Sequence, residues 1–232
     1  MVFLLNWIDF CEGARMDRAN CEVLIHNATK IVGEKTVYVD PYMLSFSKKA
    51  SSIKADADVV FVTHEHGDHY DPKEIKAVSK PTTIYVFPLS MKDSVYPPDF
   101  GCDDSSRIVF VEPGQESIAN GVQFEAVPAY NLQALFHEKK RNWVGYVIAL
   151  NGMRYYVAGD TDDTPEAYAV TCDVAVVPVG GKYTMDGNMA AHLVNSIKPK
   201  YVLPSHYGAI GGTAMDCNEF VAKVDSSIEV IL

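Results

Sequence analysis

Residues 59–72 read VVFVTHEHGDHYDP, an apolar run that stops at a threonine and gives way to three histidines and an aspartate within six positions. Val59 to Val62 form the kind of continuous apolar stretch that fills a strand buried on both faces. The imidazoles of His64, His66 and His69 therefore sit at a strand end, on a loop. His64 and His66 alternate with Glu65 and point the same way, Gly67 permits a sharp turn, and Asp68 and His69 face a second position nearby. Two metals can share such a loop. Imidazole nitrogen with carboxylate oxygen suits zinc, and also manganese, iron or nickel. The bland alternative, a solvated histidine cluster or pH-sensitive loop, accounts poorly for three of only seven histidines in 232 residues falling together.

Working outward, short β-rich runs dominate the chain: 22–27, 35–40, 58–63, 83–87, 107–111 and 122–127, then 144–150, 154–160, 173–179, 201–205 and 228–232. Asn151 and Gly152, between two of these runs, predict a tight hairpin, because both tolerate positive φ. Helical patterns are fewer and amphipathic, at 72–80, 187–197 and 213–224. In the second, Met189, Leu193 and Ile197 recur every four residues and Asp186 or Asn188 can cap the start. This order predicts a mixed α/β chain of two sheets with helices on their outer faces. A diverged internal duplication is conceivable, although no sequence repeat supports it. The polar, proline-punctuated run 92–106 reads as a surface loop. The first twenty residues fit either a short helix or a strand.

Length fits one large domain spanning residues 1–232, and 48% hydrophobic content supplies a substantial core. A net charge of −10 repels phosphate backbones and argues against general nucleic-acid binding, while leaving room for a small anionic substrate at a locally positive site. Five scattered cysteines without CxxC spacing imply reduced thiols in a cytoplasm, not a disulfide framework. The opening MVFLLNWIDF lacks a basic flank and a cleavage pattern, so no signal peptide is expected, and no apolar run reaches membrane-spanning length.

THEHGDH at 63–69 resembles the HxHxDH signature of the metallo-β-lactamase superfamily. Other matches follow in the family's order: Asp40-Pro41, AGDT at 158–161, VPVGGKYTMD at 177–186 and PSHYG at 204–208. They agree best with the branch that includes ascorbate phosphate lactonases and N-acyl phosphatidylethanolamine phospholipase D, over about residues 22–210. The resemblance implies a four-layer αββα sandwich with two divalent metals at one edge of its sheets. His64 and His66 would bind the first metal, Asp68, His69 and His206 the second, and Asp160 would bridge them. Taken alone, Asp160 reads more readily as a helix cap and His206 as a hydrogen-bonded strand-end histidine; their place in an ordered set marks them as ligands.

The chain departs from that pattern at PAYN, 128–131, where relatives in the branch carry PAxH. Asn131 stands in the histidine's place, and an amide oxygen is a poorer ligand than imidazole. The first site is then weakened, empty or completed from elsewhere, and Asn131 is left as a substrate contact. His137 is the only unassigned histidine close by, and it reads as a ligand, as a substrate contact or proton donor, or as a solvated loop residue. Glu138, Lys139, Lys140 and Arg141 beside it read as a solvated charged face. His26 is either an orienting partner for the ligands or a core histidine. Asp40, a strand-end carboxylate, is better placed to accept an imidazole N–H. Lys182 follows a glycine pair at a strand end and is a candidate substrate contact; His192 is expected to face solvent.

Together these readings predict a hydrolase in which bound metal lowers the pKa of water for attack on a small ester, lactone or phosphodiester, with Asp68 both binding metal and handling the nucleophile's proton. No GxSxG nucleophile motif competes. A redox member using iron would carry other ligand sets or fused domains. The non-enzyme alternative is a catalytically weak metal-binding or small-ligand sensor on the same scaffold, which the PAYN departure keeps open.

Overall fold

The computed structural model describes residues 19–133, 136–208, 210 and 212–232; the expectation for the first eighteen residues lies outside them. A six-stranded sheet runs in chain order from β1 (Cys21–Ile25) through β2 (Ala28–Val32), β3 (Thr36–Val39), β4 (Ala57–Phe61) and β5 (Ser79–Pro88) to β6 (Ile108–Val111). A seven-stranded sheet holds β7 (Glu116–Ala119), β8 (Val122–Pro128), β9 (Val144–Leu150), β10 (Met153–Val157), β11 (Val174–Pro178), β12 (Tyr201–Ser205) and β13 (Glu229–Val230), again in chain order from one edge to the other.

Three apolar clusters define four layers. One lies between the sheets, where Val37, Val59 and Phe61 meet Phe124, Tyr146, Tyr155 and Val176. A second joins the outer face of the seven-stranded sheet to α2 (Pro165–Tyr168), α3 (Gly187–Ile197) and α4 (Ala214–Lys223). The third joins the outer face of the six-stranded sheet to α1 (Pro72–Val78). Val59, Val60, Phe61 and Val62 are all fully buried, as the unbroken apolar run requires when helices and a second sheet cover both faces of a strand. This is the αββα sandwich anticipated from the sequence.

Helix starts follow local chemistry. The Asp71 carboxylate accepts from the Lys73 and Glu74 amides with Pro72 in the first turn, Asp186 accepts from the amides of Asn188 and Met189, and Thr213 forms a reciprocal capping box with Asp216. Asn151 and Gly152 turn the β9–β10 hairpin with φ of 54° and 73°. Two expectations need correction. Ser79 and Lys80, read as helical, begin β5, because Ser79 pairs in register with Ala57. The run 92–106 is less superficial than its polarity implies, since Phe100 and Cys102 are buried against the six-stranded sheet.

Strand direction gathers the chemistry. β3 and β4 are parallel, and β1 runs the same way through two antiparallel pairings; β10, β11 and β12 are parallel, and β8 shares their direction. The segments after β1, β3, β4, β8, β10 and β12 carry His26, Asp40, His64, Asn131, Asp160 and His206. Ligand sites in such sheets lie beyond the carboxyl ends of the strands. Gly145 in β9 permits the close approach of the segment that leads to Asp160: a Cβ there would lie 2.5 Å from the Ala158 carbonyl oxygen. Gly145→Ala is therefore expected to lower stability by about 1–3 kcal/mol through overpacking, seen as a lower urea midpoint with an unchanged m-value.

Candidate metal centre

Six of the chain's seven histidines meet at that edge with Asp68 and Asp160. His64, His66 and His137 form one donor group, and Asp68, His69 and His206, with His26 beside them, form another. Asp160 stands between: Oδ2 lies 3.2 Å from His137 Nε2, 3.9 Å from His64 Nε2 and 3.3 Å from His206 Nε2, while Oδ1 lies 3.2 Å from His69 Nε2. His64 Nε2 and His66 Nδ1 are 3.1 Å apart, and Asp68 Oδ2 lies 3.9 Å from His206 Nε2. Ligands bonded at about 2.0–2.1 Å around a tetrahedral cation stand roughly 3.3 Å from one another, so these separations fit donors sharing cations. His69 Nε2, His137 Nε2, Asp160 Oδ1 and both ring nitrogens of His206 are buried without a hydrogen bond. Buried polar atoms left unpaired are costly, and a divalent cation satisfies several at once.

The outer nitrogens of His64 and His69 are fixed. Asp40, fully buried, accepts from His69 Nδ1 at 2.7 Å, Asn27 Nδ2 at 2.8 Å and the Thr63 hydroxyl and amide, each at 2.7 Å. With its proton given to Asp40, the Thr63 hydroxyl accepts from His64 Nδ1 at 3.0 Å. The lone pairs of His64 Nε2 and His69 Nε2 are thereby turned inward. Asn27 Oδ1 in turn accepts from Ser205, the residue before His206, and the His206 amide donates to the His26 carbonyl. Gly159, at φ 66°, lets the Asp160 segment pass close to Thr63, where a Cβ would come within 3.1 Å of the threonine side chain.

Asn131 Nδ2 donates to Asp162 Oδ1 and the Tyr183 carbonyl, which fixes the amide's orientation, and its Oδ1 accepts from His137 Nδ1 at 2.8 Å. His137, buried and only 2% exposed, thus presents Nε2 to Asp160. Of the three readings open for His137, the solvated loop residue is the one its burial contradicts. Asn131, read as a substrate contact, is buried at 7% exposure and its amide meets these three partners. Lys182 is exposed, with Nζ 4.9 Å from the ring centre of Tyr183, outside both donor groups. His192 is exposed and hydrogen-bonded to Tyr168.

His26 sends Nε2 to Asp68 Oδ2 at 3.3 Å and packs its ring 4.0 Å from that of His206. The charged run beside His137 is paired off: Lys139 with Glu166, Lys140 with Glu138, and Arg141 4.0 Å from Glu65. Sequence reading did not single out Thr63, Asn27, Ser205 or Trp143, whose indole lies 4.8 Å from His64 and 4.7 Å from His66 and donates to Glu65. Thr63 alone carried a local signal, a hydroxyl between a buried strand and the first histidine.

Electrostatics separate the rings. Burial drives the pKa of His64 well down and lowers that of His66. Burial also disfavours charge on His69, but Asp160 and Asp40 outweigh it and hold its pKa well above 6.5. For Asp68, partial burial is outweighed by the His26 hydrogen bond and by His69, giving about 2. Unfolded histidine titrates near 6.5, so the stability from the charged His69 is complete below about that pH and is lost as pH rises through the folded value. A cation needs the His69 Nε2 lone pair and must expel its proton. Metal-free protein should thus lose thermal stability with rising pH over the window in which cation affinity climbs. Titration calorimetry in buffers of different ionisation heat should register proton release on binding, and zero release would contradict the assignment. Asp40→Asn, which removes the acceptor shared by His69 and Thr63, should weaken zinc binding about 10–100-fold, measured by competition with a chelating dye.

A family model described as a beta-lactamase superfamily domain matches residues 24–206, well over half of the chain. A UPF0173 metal-dependent hydrolase from Thermococcus onnurineus is 30% identical over 223 residues, covering 89% of this chain and 92% of that protein; one from Thermococcus kodakarensis is 32% identical over 215 residues with the same coverage. Among solved structures, a Parabacteroides distasonis protein assigned as a metal-dependent hydrolase superposes with a TM-score of 0.72 at 29% identity, covering 91% of this chain and 90% of that one. The metallo hydrolase Igni18 from Ignicoccus hospitalis gives the same TM-score at 23% identity, covering 91% and 93%, a likeness of fold alone. With its histidine-rich strand-end loop, its two sheets between helices and these relatives, the chain belongs to the metallo-β-lactamase superfamily.

Proposed function

We propose that the chain is a metal-dependent hydrolase that holds two divalent cations, zinc foremost, and cleaves a small ester, lactone or phosphodiester. The observation that carries this is the convergence of buried, unpaired imidazole and carboxylate atoms on a cavity of about 250 Å³ lined by His66, Asp68, His137, Asp160, Phe136 and Tyr183. His64, His66 and His137 would hold one cation, and Asp68, His69 and His206 the other, with Asp160 shared. When bound, such cations supply Lewis acidity and lower the pKa of water at neutral pH.

The chain's own residues supply position and proton handling. Asp68 is the least buried carboxylate of the cluster, with 21% of its side chain exposed, and it opens on the cavity. Its low pKa keeps it ionised across the working range, able to orient a nucleophile by accepting its proton in a hydrogen bond. His26 steadies the Asp68 carboxylate from behind, and Asp40 holds His69 directly and His64 through Thr63. The sensor alternative drew on Asn131 leaving a site short of an imidazole, and His137 Nε2, 3.2 Å from Asp160 Oδ2, weighs against it. The net charge of −10 argues against a nuclease. Four described cysteines, all free and buried, support a reducing cytoplasm, and no helix among the described residues is long and apolar enough to cross a membrane.

Elemental analysis of protein purified in zinc is expected to give two equivalents, and His137→Ala close to one. Asp68→Ala is expected to cut kcat on a panel of chromogenic esters, lactones and phosphodiesters by about 10²–10⁴-fold. Wild type and Asp68→Ala that are equally inactive on every substrate would sink the hydrolase reading, and unchanged stoichiometry in His137→Ala would sink that ligand.

A further inference from the structure

The cavity has two unlike walls. Donor atoms of His66, Asp68, His137 and Asp160 form one; the rings of Phe136 and Tyr183 form the other. Those rings meet edge to face with centroids 5.2 Å apart, a stable aromatic arrangement. Phe136 leaves 56% of its surface exposed, so its ring is open to a bound group at the cavity mouth. No lysine or arginine is found among the described residues lining the cavity. At about 250 Å³ it lies below the roughly 300–1,000 Å³ of ordinary ligand pockets.

The aromatic wall is tied to the donor wall. The Tyr183 carbonyl accepts from Asn131 Nδ2, Asn131 Oδ1 accepts from His137 Nδ1, and Phe136 precedes His137 in the chain. The backbone that carries both rings is thus tied to the donor residues. A group resting on the rings lies beside an electrophile presented to Asp68 and Asp160.

From this geometry we propose that Phe136 and Tyr183 determine specificity, receiving a medium-length apolar acyl chain, so that the preferred substrate is a carboxylic ester of a medium-length aliphatic acid. The inference rests on the hydrolase reading and narrows it. A phosphodiester would leave the aromatic wall unused, and no guanidinium or ammonium is among the lining residues for its non-bridging oxygens, Lys182 being outside the lining with Nζ 4.9 Å from the Tyr183 ring centre.

The test uses zinc-loaded full-length protein and p-nitrophenyl acetate, butyrate and hexanoate. Wild-type kcat/KM is expected to rise about fourfold per added methylene, carried by KM. Phe136→Ala should flatten that rise, and Tyr183→Leu, which keeps an apolar wall, should retain most of it. Direct calorimetric binding of hexanoate, tighter than acetate in wild type and equal to it in Phe136→Ala, provides a reading independent of turnover. A flat profile in an active wild type, or a loss in Phe136→Ala that is equal for all three esters, would overturn the proposal. Hexanoate discrimination in a protein that cleaves no ester would instead count against the hydrolase reading and leave the aromatic site standing.

Discussion

One buried carboxylate organises the site. Asp40 has no contact with solvent and meets four hydrogen-bond donors, from His69, Asn27 and both polar groups of Thr63. An ionised carboxylate can be kept in so dry a place only when its oxygens are satisfied. The donors that satisfy it are the groups that set the direction of two inner imidazoles. Through Asn27 and Ser205 the same network reaches from the six-stranded sheet to the strand that delivers His206 in the seven-stranded one. The two halves of the sandwich are held in register by the contacts that aim the donor atoms.

That arrangement explains why the site stands at one edge. Parallel strands end together, and a chain leaving them is free of the ladder and able to take left-handed turns; His26, Asp40 and His206 all have φ near +50°. Such conformations cost about 1–3 kcal/mol each in a residue other than glycine. They persist because neighbouring hydrogen bonds fix them, as the His206 amide does by donating to the His26 carbonyl. Backbone strain and ring orientation are two sides of one constraint.

Much of this could be read from the chain. The 59–72 stretch located a buried strand and its histidine loop because apolar continuity and residue type are local signals. The Asn151-Gly152 turn and the cap at Asp186 were legible for the same reason. The β2 strand escaped notice because Lys30 interrupts its pattern, and only the fold reveals that Lys30 is 4% exposed, its ammonium held by the Ser52 carbonyl and Asp56. β7 is a four-residue edge strand with an outward Ile118 and too little pattern to read. Asn131 shows the deeper limit. Its mismatch to the family pattern was visible, but its bond to His137 depends on how a loop closes, which no spacing encodes. Asn27 and Ser205 lie 178 residues apart, so nothing local could pair them.

The placement of Phe136 next to His137 also bears on how this protein can diversify. Where a binding wall and a cation ligand sit on separate loops, selection can reshape the first without disturbing the second. Here they are neighbours on one short segment, braced by Asn131. A change at Phe136 that widens the cavity acts next to an imidazole, and the Tyr183 backbone is held by the same Asn131, so cavity shape and donor placement are coupled on both sides of the aromatic wall.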